Sequence, residues 1–278
     1  MNVVGIGSSA GGIEALKELL STLASKDDAT YIIAQHISPT HVSMLKEIFE
    51  RHSDLTIEVA ETGLMPRAGR IYVIPPNVNL TISDGALLVH DATDMPSPKP
   101  SINMLFESLA ENYGTSCIGV VLSGTGSDGA SGLMAIRQAG GITIAQEPST
   151  SEYASMPLAA IQAGAVDLTL SLPDIAKVIS AAGELKAKTN FESKAWSEAY
   201  QTLVSKINEA ANIDLSQYKK ATLKRRIDRR MALRQISSVE KYTDYIKLNP
   251  SEVQEFVKDV FISVTEFFSS CRSSDSTQ

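Results

Sequence analysis

The sequence predicts an α/β protein: a three-layer αβα domain built on a mostly parallel sheet with an appended antiparallel hairpin, followed by a small all-α domain. Three observations lead there. Short β-branched runs alternate with segments of helical period over the first 180 or so residues. An Asp-Gly turn joins two alternating runs in the middle of that stretch. After Gly183 the chain becomes polar and then helical throughout, rich in Lys, Arg, Leu, Ile and Met.

The elements follow in order. Val3 to Gly7 is short, β-branched and closed by glycine, so it reads as a buried strand. From Gly12 to about Ala24, apolar residues at 13, 16, 19, 20 and 23 give a helical period. Tyr31 to Gln35 is the next strand, His41 to about Arg51 a helix, and Leu55 to Ala60 a strand. Arg70–Ile74, Leu80–Ile82 and Ala86–His90 break the βαβ rhythm, and Ser83-Asp84-Gly85 between the last two is a strong hairpin signal. A helix capped near Ser101 follows the Pro-rich loop. Ser116–Ser123, a helix around Gly129–Ala139, Ile142–Ala145 and Val166–Leu170 complete the first domain. The resulting boundaries are 1–183 for the α/β domain, 184–194 for a linker, 195–268 for the helical domain and 269–278 for a disordered, low-complexity tail.

Composition removes several function classes. At 43% hydrophobic and 21% charged, the chain supplies a real core, which excludes wholesale disorder. No run approaches the roughly 20 apolar residues of a membrane span, and the start MNVVGIGSSAGG lacks a basic signal region. Two cysteines, Cys117 and Cys271, fit a reducing, cytoplasmic setting. With the four histidines they form no metal-ligand spacing, so neither a metal nor an organic cofactor is expected. Residues 1–185 carry a net charge of −11 and residues 186–278 a net of +4, which suggests two modules with different partners.

Three segments carry chemistry. Gly7-Ser8-Ser9-Ala10-Gly11 has the form G-x-S-x-G between a strand and a helix, the setting of a serine nucleophile. Its backbone N–H groups, that of Ala10 included, lie beside a helix N-terminus suited to an oxyanion. A phosphate-binding glycine turn is the competing reading, although Ala10 stands where dinucleotide folds place a third glycine. His36 ends the second strand and can serve Ser9 as general base, or can be a solvent-facing strand-end histidine. Leu122-Ser-Gly-Thr-Gly-Ser-Asp-Gly129 again follows a strand. Its Asp128 can orient His36 or simply cap the next helix, and its Thr125 N–H can join the oxyanion site. All three segments fall at the carboxyl edge of one sheet. Their order, Ser…His…Asp, departs from the Ser…Asp…His order of α/β-hydrolases.

Gly5–Leu16, Ala34–Pro39, Val73–Asn77 and Leu122–Gly129 together resemble the catalytic domain of the CheB chemotaxis methylesterases, over about residues 1–180. The resemblance implies a Ser9–His36–Asp128 triad. It also implies a substrate, the γ-glutamyl methyl esters on the cytoplasmic helices of methylated chemoreceptors, with deamidation of glutamines in related enzymes. Tyr218–Met231, Tyr242–Pro250 and Ile262–Phe268 resemble the N-terminal helical domain of the CheR receptor methyltransferases, as in CheB–CheR fusions. That family continues Phe-Phe-Arg, whereas Ser269 stands here, and nothing resembling the S-adenosylmethionine-binding domain follows. Methyltransferase activity is therefore not expected. No receiver domain precedes Met1, so the usual phosphorylation switch is expected to be missing.

Between Lys219 and Arg234 there are eight Lys/Arg against one Asp. Leu223, Ile227 and Met231, four apart, predict one buried stripe, with Arg225, Arg226, Arg229 and Arg230 offered to an acidic protein partner. A merely solvated face is the plain alternative. Nucleic acid is not expected, because no binding motif is present and the chain is acidic overall. Two other functions compete with the esterase: a non-catalytic docking module, and a nucleotide-binding domain using Gly5–Gly12.

Overall fold

The computed structural model describes residues 1–23, 29–37, 44–92, 98–188, 194–215, 218 and 220–270. The chain forms two compact units, Met1–Lys186 and Ala187–Gln278.

In the first unit the elements run β1 (Asn2–Ser8), α1 (Gly12–Thr22), β2 (Ala29–Gln35), α2 (Leu45–Glu50), β3 (Thr56–Val59), β4 (Arg70–Val73), β5 (Val78–Ser83) and β6 (Ala86–Asp91). There follow α3 (Ile102–Tyr113), β7 (Cys117–Val121), α4 (Ala130–Gln138), β8 (Ile142–Gln146), α5 (Ser155–Gln162), β9 (Leu168–Leu170) and α6 (Leu172–Lys188). Seven of the described strands make one sheet in the order β3-β4-β2-β1-β7-β8-β9, with every neighbouring pair parallel. Strands β1, β2, β7 and β8 are buried along their whole length, as strands covered on both faces must be. Their sequences are accordingly near-continuous apolar runs. Burying a side chain such as Ile6, Ile32 or Val120 contributes about 1.5–3 kcal/mol. The apolar stripe of α1 is fully buried at Leu16, Leu19 and Leu20.

The chain leaves β1 towards β2 on one side and finds β7 on the other, which makes the carboxyl end of β1 a topological switch point. Register sharpens the point: Ser8 pairs with Gln35 and Gly7 with Val121, so three loops leave the sheet at one level. The expected hairpin is present as the antiparallel pair β5–β6, a separate two-stranded sheet. It is fastened to α3, where Ser108 Oγ accepts from the Ile82 N–H and Asn112 Nδ2 donates to the Ile82 carbonyl.

The second unit is helical: α7 (Lys194–Ala211), α8 (Lys220–Leu233), α9 (Val239–Leu248) and α10 (Pro250–Ser270). The predicted stripe of Leu223, Ile227 and Met231 is buried, and Tyr242 and Phe256 join it in the interior. The predicted basic surface is different. Arg225 is exposed, but Arg226, Arg229 and Arg230 are 5–8% exposed. Arg229 pairs with Asp259, and Arg230 meets Glu252 through two 2.8 Å bonds. The physical reason is α10. It places two buried carboxylates against α8, and a buried carboxylate draws cations inward. Lys224, also buried, pairs with Asp228 one turn along.

Two further differences concern the helices. The stretch expected as a linker begins as helix, because α6 continues to Lys188, and α7 already starts at Lys194. Helix α5 was not anticipated; its proline, Pro157, sits in the first turn, where a missing N–H is tolerated. Of the helix expected from His41, residues 41–43 lie outside the described residues, as do 271–278 of the tail.

Candidate active site

Ser9 is the first residue beyond β1. Its N–H donates to the Ser123 carbonyl at 3.0 Å, which ties the loop after β1 to the loop after β7. The chain then turns through Gly11, whose φ of 70° is left-handed and suits glycine, into α1. Gly124 is as close on the other side. A Cβ there would stand 2.9 Å from Ser9 Cβ and 2.1 Å from Met156 Sδ, so no side chain fits between them. Among the described residues the Ser9 hydroxyl has no hydrogen-bond partner, and it is partly exposed.

His36 and Asp128 are in contact, Nε2 to Oδ2 at 2.9 Å, although 92 residues separate them. Their side chains are 9% and 14% exposed. Facing a carboxylate, Nε2 carries the ring proton, which leaves the lone pair on Nδ1. This reverses the more familiar arrangement in which the carboxylate takes Nδ1.

Asp128 does more than face His36. Its Oδ2 also accepts from the Ile102 N–H at 2.8 Å, and its Oδ1 from the Asn103 and Gly129 N–H groups at 3.0 Å each. The carboxylate therefore caps the start of α3 rather than the helix that follows it. Asn103 returns the arrangement: its Oδ1 accepts from the Gly129 and Gly132 N–H groups at the start of α4. Burial pushes the Asp128 carboxyl up, but the hydrogen bonds from His36, Ile102 and Asn103 outweigh it and hold the group below the usual carboxylate range.

The two backbone groups expected at an oxyanion site fall on the same edge. Ala10 follows Ser9 directly, and its carbonyl accepts from Ser123 Oγ at 2.9 Å. Thr125 follows Gly124, whose backbone pairs with Tyr153 and Met156. Among the described residues neither the Ala10 nor the Thr125 N–H donates to a protein acceptor.

Sequence reasoning missed the glutamines. Gln35 and Gln146 are 3% and 1% exposed at the carboxyl ends of β2 and β8. Gln146 accepts from the Ser123 N–H and donates to the Thr150 carbonyl; Gln35 bridges Ser8, Ser9 and His36. A signal existed, because both strands are apolar runs that end Ile-Ala-Gln, a large polar group where the pattern calls for an apolar one. Asn103 and Met156 left no comparable signal.

The chain is similar to known proteins along most of its length. Residues 4–179 match the family described as CheB methylesterase, and residues 198–261 match the CheR methyltransferase all-alpha domain. A relative from Leptospira interrogans is 40% identical over 174 residues, which is 62% of this chain and 90% of that one. A protein-glutamate methylesterase/protein-glutamine glutaminase of Anaeromyxobacter dehalogenans is 37% identical over 179 residues; the matched region spans 64% of this chain and 52% of that relative. The crystal structure of the Thermotoga maritima CheB methylesterase catalytic domain superposes with a TM-score of 0.59 at 28% identity, covering 64% of this chain and 96% of that domain.

Proposed function

The chain belongs to the CheB methylesterase family and carries a CheR-type all-alpha domain behind the catalytic one, and from that premise we propose that it hydrolyses γ-glutamyl methyl esters on the cytoplasmic helices of chemoreceptors. The observation that carries the reading is the part-buried His36–Asp128 bond beside Ser9 at the switch point of the sheet.

Ser9 Oγ attacks the ester carbonyl as His36 Nδ1 takes its proton. Asp128 holds the ring by Nε2 and stabilises the imidazolium that forms. The Ala10 and Thr125 N–H groups receive the oxyanion of the tetrahedral intermediate. Collapse expels the methoxide, which leaves as methanol with the proton from His36, and a water then repeats the sequence on the acyl-enzyme to release glutamate. The chemistry needs no metal or organic cofactor. Because the named relative is also a glutaminase, an amide in place of the ester would release ammonia by the same steps. The substrate places the protein in the cytoplasm; no helix among the described residues is long and apolar enough to cross a membrane.

The helical unit serves in this reading to dock on the acidic receptor helices. Arg225 is the member of the expected basic set that remains exposed for it. The test is methanol release from a methylated chemoreceptor fragment by the protein and by Ser9→Ala. Release by the wild type and a loss of at least about 10³-fold in the variant is expected. Full activity in the variant defeats the assignment of Ser9, and a folded wild type that binds the fragment but releases nothing favours docking alone.

A further inference from the structure

We infer that Gln35 is a positioning residue that sets Ser9 and His36 relative to each other, an inference that rests on the reading of Ser9 as nucleophile. The backbone ladder between β1 and β2 reaches only to the His36 N–H, which donates to the Ser8 carbonyl at 2.9 Å. Beyond that bond, backbone pairing between the two strands ends, just where the chemistry begins. Gln35 carries the tie one residue further. Its Nε2 donates to the Ser9 carbonyl at 2.8 Å and to the His36 carbonyl at 2.9 Å, while its Oε1 accepts from Ser8 Oγ at 2.7 Å.

The amide is fully used: both N–H donors and the carbonyl oxygen have partners, and the residue is 3% exposed. Its orientation is fixed by those partners, since the flipped amide would set Oε1 against two carbonyl oxygens. Other side chains fail for definite reasons. Asparagine is one methylene short. Glutamate, when ionised, brings charge to two carbonyl oxygens and no donor. Leucine leaves those oxygens and the Ser8 hydroxyl without their partner. Gln35 touches neither the ester nor the ring nitrogens, so it acts through the two backbones that carry nucleophile and base. A misplacement of about 1 Å at that level is enough to slow chemistry on the order of 100-fold.

The experiment compares wild type, Gln35→Glu and Gln35→Leu in the full chain by two readouts. One is the rate at which a fluorophosphonate probe phosphonylates Ser9, its Oγ bonding to phosphorus as fluoride leaves. The other is kcat and KM for methanol release from a methylated receptor fragment. Both variants should label about 10- to 100-fold more slowly and lose kcat in proportion, with KM within about twofold of wild type. The Gln35→Glu deficit should widen as pH rises, because the neutral carboxyl still donates one hydrogen bond and the ionised one donates none.

A variant that melts with the wild type and labels at its rate overturns the inference. If a single variant does not fold, Ser8→Ala/Gln35→Leu replaces the buried bond by an apolar pair; slow labelling is expected there too, and wild-type labelling overturns the inference. A wild type that labels rapidly but releases no methanol sinks the proposed substrate and leaves Gln35 standing. A wild type that does neither removes Ser9 as nucleophile, and the role of Gln35 with it.

Discussion

The Asp128 carboxylate orients His36 and caps α3 at once, so its removal should register twice. Asp128→Asn can keep the shape but puts an amide donor where acceptors are needed. Methanol release should fall by about 10⁴-fold, and stability by about 1–2 kcal/mol through the lost cap. Melting curves against pH separate the two effects. Because the Asp128 pKa is depressed in the folded protein, its contribution is fully present above the ordinary carboxylate pKa and disappears as pH falls through the lower folded value. The melting difference between wild type and Asp128→Asn should therefore be constant at neutral pH and close in strong acid; a gap that persists there contradicts this account. Gly124→Ala offers a second check. The added methyl must displace Met156 or Ser9, so activity should fall by at least about 10-fold while the fluorescence and circular dichroism of the fold are kept. Ser9, His36 and Asp128 were legible in the sequence because glycines and strand ends mark loops at a sheet edge. Gln35 was harder to see, since a glutamine is informative only once its strand is known to be buried.

Among the elements, the central strands were the easiest to read: a parallel strand covered on both faces is a near-continuous apolar run, and β1, β2, β7 and β8 are buried runs of that kind. Helix ends were less so. The last turns of α6 carry Glu184, Lys186 and Lys188 with no apolar period, a pattern that composition assigns to a linker. The orientation of α8 was misjudged for a different reason. One apolar stripe was found correctly, but the side of the helix bearing Arg229 and Arg230 is also covered, by the acidic residues of α10, which no reading of α8 alone reveals. Glu252 is the centre of that contact, bound by Arg230, Arg234 and Tyr242. Burial raises its pKa, but Arg230 above all, with Tyr242 and Arg234, brings it below the ordinary value. Glu252→Gln should destabilise the helical unit by about 3–5 kcal/mol, since it removes the charge that the buried Arg230 guanidinium meets through two bonds and leaves it only Asp259, at 3.7 Å. Hydrogen exchange read unit by unit should show faster exchange in α8–α10, with turnover of a small ester that needs no docking unchanged. Uniform loss of protection in both units would refute the separation.

At the scale of the whole molecule, the two units have opposite charge and separate cores. The Leptospira relative is matched over 90% of its length by 174 residues of this chain, and the CheB family match spans residues 4–179. A fragment comprising residues 1–188 should accordingly fold and turn over a small ester at the rate of the full chain, within about twofold; loss of that activity would make the helical unit part of the catalytic machinery. The burdens placed on the three residues of the proposed triad are also unequal. Asp128 holds helix ends together, and His36 is held by it, whereas the Ser9 hydroxyl has no hydrogen-bond partner among the described residues. A copy of this protein released from selection for hydrolysis would therefore erode at position 9 first and keep its acid longest. In such a descendant a surviving aspartate would testify to architecture, and only a surviving serine to work.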